Sequence, residues 1–254
     1  MTSDPRRPDT PFWVEPASVE GDTLRLSAKE SHHLLHVLRA ALGTPFEAVD
    51  GAGLLYECAL AGVEHRLAVG RIIARSEEAG ELPGTLQLIV GLPDFASTEA
   101  LVARAVPLGV HAIELVETER GGGWRATEAR RERLLRLARA SVKQSRRTRL
   151  PHIRFPGRLE SLLEANGRGA AGSRFLADSR GRFWSQDAPA GVLSHVTLAV
   201  GPPGGFSDGE RARLGDLGYE AISLGMNRLR TEDAACVILV LARERILAGA
   251  GWRH

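Results

Sequence analysis

The residues of this chain that could do chemistry gather on two turns. Residues 196–210, VTLAVGPPGGFSDGE, read as an apolar strand that stops at Gly201, then a Gly/Pro-rich turn, then Ser207 and Glu210 at the spacing of a capping box. Gly204 and Gly205 would let peptide groups come close to a ligand, and open α/β sheets bind ligands beyond the carboxyl ends of their strands. The turn has neither the G-x-G-x-x-G order of a dinucleotide site nor a Walker GK[ST], so taken alone it is equally a plain tight turn. A second run, 221–224, stops at Gly225, and MNRLR leads to Thr231, a candidate helix N-cap followed by Glu232 and Asp233. Those two carboxylates are explained by the helix dipole, which leaves Arg230 as the stronger candidate for ligand chemistry.

Charge singles out a third feature. The 254 residues carry 33 Lys plus Arg and 31 Asp plus Glu, a net of +2 that implies no particular partner. The thirteen basic and two acidic residues between Arg120 and Arg158 amount to a local +11, leaving −9 for the rest. On a helix there, Leu134, Leu137, Ala138, Ser141 and Val142 form an apolar stripe, while Arg136, Arg139, Lys143 and Arg147 recur at steps of three or four. A solvated helix face would show the same periodicity, but so few acidic neighbours favour a polyanion surface. Arginine in particular suits phosphate forks and stacking on bases.

Other chemistries find little support. Only Lys29 and Lys143 are lysines, which argues against a lysine nucleophile. Cys58 and Cys236 sit far apart in apolar segments, as small core residues do. His32 and His36 share a helix face, but the HExxH glutamate and a third ligand are missing, so no metal is expected. The amino terminus has no apolar signal core and no apolar run is long enough to span a bilayer, so the expected location is cytoplasmic with no membrane partner.

Two regions must position these groups. Residues 1–11 read as a flexible arm and 12–75 as a small β-rich domain, with one helix bearing Leu34, Leu35, Val37 and Leu38 and a hairpin turning at Asp50-Gly51. Residues 76–84 suit a linker. From 85 to 254 apolar strands alternate with helices, at 86–90, 112–116, 174–177, 196–200 and 221–224, the rhythm of a largely parallel α/β sheet covered on both faces. The helix at 231–248 is apolar on more than one face, as deep core or a subunit interface would be.

AVGPPGGFSDGE and SLGMNRLRTEDAA are similar to the GPEGGFs..E and LG.rILR.ETAA motifs of the SPOUT-class small-subunit ribosomal RNA (uridine-N3) methyltransferase family. HHLLHVLR, VDGAG, LGVHAIELVETER and KQSRRTRLP fall in the matching order. The resemblance implies an amino-terminal PUA-like β-barrel and a SPOUT α/β domain whose carboxyl-terminal trefoil knot holds S-adenosyl-L-methionine. Topology rules alone would argue against a knot. It further implies a homodimer acting on ribosomal RNA or the small ribosomal subunit. Cofactor contacts would fall at Leu198, Val200, Gly201, Gly204, Gly205, Leu224, Gly225, Leu229 and Thr231. The catalytic cation would be Arg230, and RNA contacts would include Arg39, Arg120, Arg136, Arg139, Lys143 and Arg147.

The chain departs from the pattern at several polar positions. Pro203 stands where the family has glutamate, Asn227-Arg228-Leu229-Arg230 replaces R-I-L-R, and Asp233 replaces threonine. Asp94-Phe95-Ala96 and Pro107 replace a Lys-Gly-Asp and a glutamate. These changes spare the backbone-lined pocket more than its side chains, so an RNA-binding paralogue without catalysis is the alternative. A nicotinamide oxidoreductase lacks its glycine fingerprint here.

Overall fold

The computed structural model describes residues 8–122, 124–166, 172–184 and 193–251, so residues 1–7 of the expected arm lie outside it. The chain divides into two compact units, one of residues 1–81 with 139–150 and the other of residues 82–138 with 151–254.

The first unit is built on a six-stranded mixed sheet. Its strands are β1 (Phe12–Trp13), β2 (Val19–Glu20), β3 (Thr23–Arg25), β4 (Pro45–Val49), β5 (Leu54–Glu64) and β6 (Leu67–Glu77), in the order β1-β4-β5-β6-β3-β2. The expected β4/β5 hairpin is present, pairing Phe46 with Cys58 and Val49 with Leu55. β5 and β6 are joined at His65 and Arg66, both at positive φ (48° and 69°), as a two-residue turn matched to strand twist requires. Between β3 and β4 lies the short helix α1 (Ala28–His32), capped by the Ser27 hydroxyl, which accepts from the Glu30 amide; a π-helical turn, His33–Val37, follows. Phe12, Leu24, Leu26, Leu34, Phe46, Tyr56, Cys58 and Ile72 form the core.

The second unit is a parallel α/β sheet. In chain order it comprises β7 (Thr85–Gly91), α2 (Phe95–Ala105), β8 (Ala112–Glu117), α3 (Glu128–Ser145, whose last seven residues count with the first unit), β9 (His152–Arg158) and α4 (Leu159–Asn166). Then come β10 (Ser173–Phe183), β11 (His195–Val200), α5 (Asp208–Asp216), β12 (Glu220–Ser223) and α6 (Thr231–Gly249). Every pairing in the order β12-β10-β11-β7-β8-β9 is parallel. Helices α4 and α5 cover one face over Ile89, Val116, Leu176 and Ala199. α6 lies against β7, β11 and α2. Strand β9 escapes a pattern search because Pro156 interrupts it, and the proline is tolerated because β9 is an edge strand.

The segment expected to be a linker is anchored instead. β6 runs on to Glu77, and Glu81 is buried against Arg147. Residues 139–150 return to the first unit, which a reading of contiguous domains does not anticipate.

Candidate active site

The turn after β11 and the turn after β12 meet around a cavity of ≈ 460 Å³, whose apolar lining includes Val200, Phe206, Leu229 and Ala234. Pro202 opens the first turn, and its carbonyl accepts from Gly205 N–H at 2.7 Å, closing a reverse turn with Pro203 inside it. A side chain at Gly201 would press within 2.9 Å of the Phe206 amide, which is why the strand can fold back only through glycine. Gly205 and Gly225 hold φ of +70° and +128°.

Two hydrogen bonds tie the turns together. The Thr231 hydroxyl donates to the Gly201 carbonyl at 3.1 Å, and Arg228 Nη2 donates to the Pro203 carbonyl at 2.7 Å. Below them α5 starts with a complete capping box: Ser207 Oγ accepts from Glu210 N–H, and Glu210 Oε2 accepts from Ser207 N–H at 2.7 Å. The other Glu210 oxygen accepts from Glu119 N–H at 2.9 Å, so one buried carboxylate ties the loop after β8 to the turn after β11. Asp208 holds its proton less readily than an ordinary carboxyl group because Arg211, then Arg180, donates to it.

Val200, Gly201, Gly204, Gly205, Gly225, Leu229 and Thr231 all line the cavity, and Leu224 lines a smaller recess that continues from it. Leu198 does not: it is fully buried within β11, so that expectation is corrected. Thr231 is the first helical residue of α6 and Arg230 its N-cap, without a side-chain cap bond. Arg230 is exposed and is not among the lining residues, although both of its neighbours are. The guanidiniums that line the cavity are Arg120, Arg180, Arg211 and Arg228. Asp233, one of the departures, bonds to Arg104 at 2.8 Å. Sequence reading missed Asp178, Ser179 and Arg180, which line the cavity from β10. Their signal was the strand-end rule itself, which applies to every strand of the sheet.

The basic stripe changes most. Arg147 is 2% exposed and bonded to Glu81, so it is withdrawn as an RNA contact. Lys143 is bonded to Glu30 at 2.7 Å, and Arg139 pairs with Glu15 while its guanidinium lies over Trp13. Arg146 and Arg149 pair with Glu47 and Glu78. The partners are carboxylates of the first unit, remote in sequence, which a count along one segment cannot see. Arg136 and Arg39 are exposed and have no ion pair among the described residues. Among the described residues Arg120 makes one long side-chain bond, to the Phe206 carbonyl at 3.5 Å.

Among the described residues there is no cluster of three metal-ligating side chains, and no helix is long and apolar enough to cross a membrane.

Comparison with known proteins places this geometry. The ribosomal RNA small subunit methyltransferase E of Synechocystis is 27% identical over 235 residues, spanning 89% of this chain and 74% of the relative. The enzyme of the same name from Mycobacterium bovis is 28% identical over 240 residues, spanning 90% and 88%. A Legionella pneumophila structure assigned as a methyltransferase and solved with SAM bound superposes with a TM-score of 0.77 at 25% identity, covering 92% of this chain and 97% of that one. A Neisseria gonorrhoeae ribosomal RNA small subunit methyltransferase E shares the fold, with a TM-score of 0.78 at 22% identity over 92% and 97%. Residues 80–243 match the RNA methyltransferase domain family, and the chain belongs to that family.

Proposed function

We propose that the protein transfers the methyl group of S-adenosyl-L-methionine to N3 of a uridine in small-subunit ribosomal RNA. The observation that carries this is the pair of glycine turns clasped by the Thr231–Gly201 and Arg228–Pro203 bonds around one cavity. The names and bound cofactor of the relatives support it. The PUA-like character of the first unit, a trefoil knot formed by the segments after β11 and β12, and a homodimer completed on α6 belong to the same reading.

The donor set fits the cofactor. Peptide groups of Val200, Gly201, Gly205, Leu224, Gly225 and Leu229 would hold adenine and ribose. Arg120 or Arg228 suits the carboxylate of the methionyl arm and Asp178 its ammonium group. When bound, the cofactor supplies an electrophilic methyl on a sulfonium. Uridine N3 carries a proton at neutral pH, so the protein must favour the uridinate that attacks in line. A fixed cation beside the base does this, and Arg230 at the head of α6 is the assigned group, with Arg120 and Arg228 already at the cavity wall. The base must also leave its stack to reach the methyl.

Pro203 could mark a paralogue that binds RNA without methylating it. Its structural contribution is a carbonyl that accepts from Arg228, which requires no particular side chain, and this favours an intact pocket. Incubation with unmodified small ribosomal subunits and SAM, followed by mass spectrometry of nucleosides, is expected to show N3-methyluridine. Micromolar SAM binding with no methylated uridine would refute the reaction and leave the paralogue.

A further inference from the structure

A second cavity of ≈ 420 Å³ lies beside the first, at the carboxyl ends of β8 and β9, lined by Glu117, Thr118, Gly121, Gly122, Trp124, Arg125 and Arg158. The two share a wall. Pro202, a lining residue of the cofactor cavity, stands where a side chain on Gly121 would come within 2.7 Å of it. Neither the capping network nor the cofactor contacts use this second space, and its volume is of the size that takes a nucleotide, within the roughly 300–1,000 Å³ of small-molecule sites.

Its lining is chemically specific. Glu117 and Arg158 are register partners at the ends of neighbouring parallel strands, yet they are not bonded to each other; Arg158, largely exposed, reaches Glu160 at 3.4 Å. Glu117 and Arg125 have no ion-pair partner among the described residues. Thr118 Oγ1 is buried with no hydrogen-bond partner among the described residues, so its hydroxyl is available to a ligand. Gly121 and Gly122 present bare backbone, with Gly122 at φ +115° and its N–H bonded to the Leu92 carbonyl. Trp124 is fixed behind them: its indole N–H donates to the Pro93 carbonyl at 3.0 Å, and it meets Phe95 and Phe155 edge-on. Arg130 lies over the Trp124 and Phe95 rings and Arg131 over Phe155, adding positive potential to a rigid wall.

We infer that this cavity is a subsite for the RNA nucleotide next to the one that is methylated. The inference rests on the methyltransferase reading, because the reacting base must occupy the cofactor side of the shared wall and only a neighbour of the same strand falls on the other. Arg125 and Arg158 take its phosphate. Glu117, an acceptor-only carboxylate, takes the N–H edge of its base. The subsite therefore prefers a base bearing an amino group, guanine above all because two parallel donors meet two carboxylate oxygens. Uracil, with one N–H between two carbonyl oxygens, is disfavoured.

The test uses the full chain with small ribosomal subunits and SAM. Arg125→Ala combined with Arg158→Ala is expected to raise KM for the subunits about tenfold or more and leave kcat within about twofold, with SAM affinity unchanged by calorimetry. The slope of log affinity against log salt should become shallower by about 0.7 for every phosphate of single-stranded RNA that the variant no longer neutralises. With short single-stranded RNAs carrying one uridine beside each base in turn, the wild type should favour a neighbouring guanine and Glu117→Gln should abolish that preference. A double variant whose KM and salt slope match the wild type, while the wild type methylates normally, overturns the subsite alone. A wild type that binds SAM but neither binds nor methylates RNA overturns the functional reading and the subsite with it.

Discussion

Arg147 offers the sharpest separation of a structural from an RNA-binding role. Its guanidinium donates to Glu81 Oε2 from Nη2 at 2.6 Å and from Nε at 3.1 Å, and both side chains are 2% exposed. The other Glu81 oxygen accepts from the Thr148 and Arg149 amides, each at 2.9 Å. Glu81→Leu would take the carboxylate away from a buried guanidinium, at a cost of about 3–5 kcal/mol, and remove the acceptor of two peptide N–H groups as well. At about 2–4 °C per kcal/mol for a chain of this size, the melting temperature should fall by about 6–20 °C. Adding Arg147→Met to Glu81→Leu removes the buried charge that has lost its carboxylate, so the double variant should recover part of that deficit. Calorimetric melts measure both, and RNA affinity is measured well below the melting range. Arg147→Met should lower stability and leave RNA affinity within about twofold. An Arg147→Met protein that melts with the wild type but binds RNA tenfold more weakly would refute the reasoning and restore Arg147 as an RNA contact.

Other perturbations probe the rest of the molecule. Gly121→Ala puts a methyl group into Thr118 Oγ1 and Pro202, so the shared wall must shift and SAM affinity should fall several-fold in calorimetry. Ser207→Ala should cost about 1 kcal/mol in urea unfolding, as removal of an N-cap does, whereas Glu210→Ala should cost more because it also releases the Glu119 amide. Burial pushes the Cys58 thiol up to about 12, so it should resist iodoacetamide at pH 8 until the chain is unfolded. Because the unfolded thiol ionises near the ordinary value of 9.0 and the folded one does not, that contribution to stability is full below about pH 9 and declines from there toward about pH 12.

The parts of the site that were legible in sequence are those made of local backbone. Gly201, Gly205 and Gly225 announce chain reversals because those conformations exclude side chains, and Ser207 with Glu210 announces a helix start because both partners lie within one turn. Asp178, Ser179 and Arg180 were not singled out: every strand of the sheet has a carboxyl end, and which of those ends border the cavity is decided by the strand order. Strand β9 was hidden by Pro156, whose tolerance depends on an edge position that is itself a property of the assembled sheet.

The amino-acid sequence by itself determined the alternation of strands and helices in the second unit, the two glycine turns, and the family likeness, because each rests on interactions between near neighbours. Only the tertiary structure decided where the charge of residues 120–158 goes. Glu15, Glu30, Glu47, Glu78 and Glu81 neutralise Arg139, Lys143, Arg146, Arg149 and Arg147 across large sequence separations. The exposed cations left for RNA include Arg39 and Arg136, and Arg120, Arg125, Arg158 and Arg228 around the two cavities. Coulomb attraction acts through space, and a segment that reads as a basic strip along the chain is, once folded, largely a set of internal ion pairs.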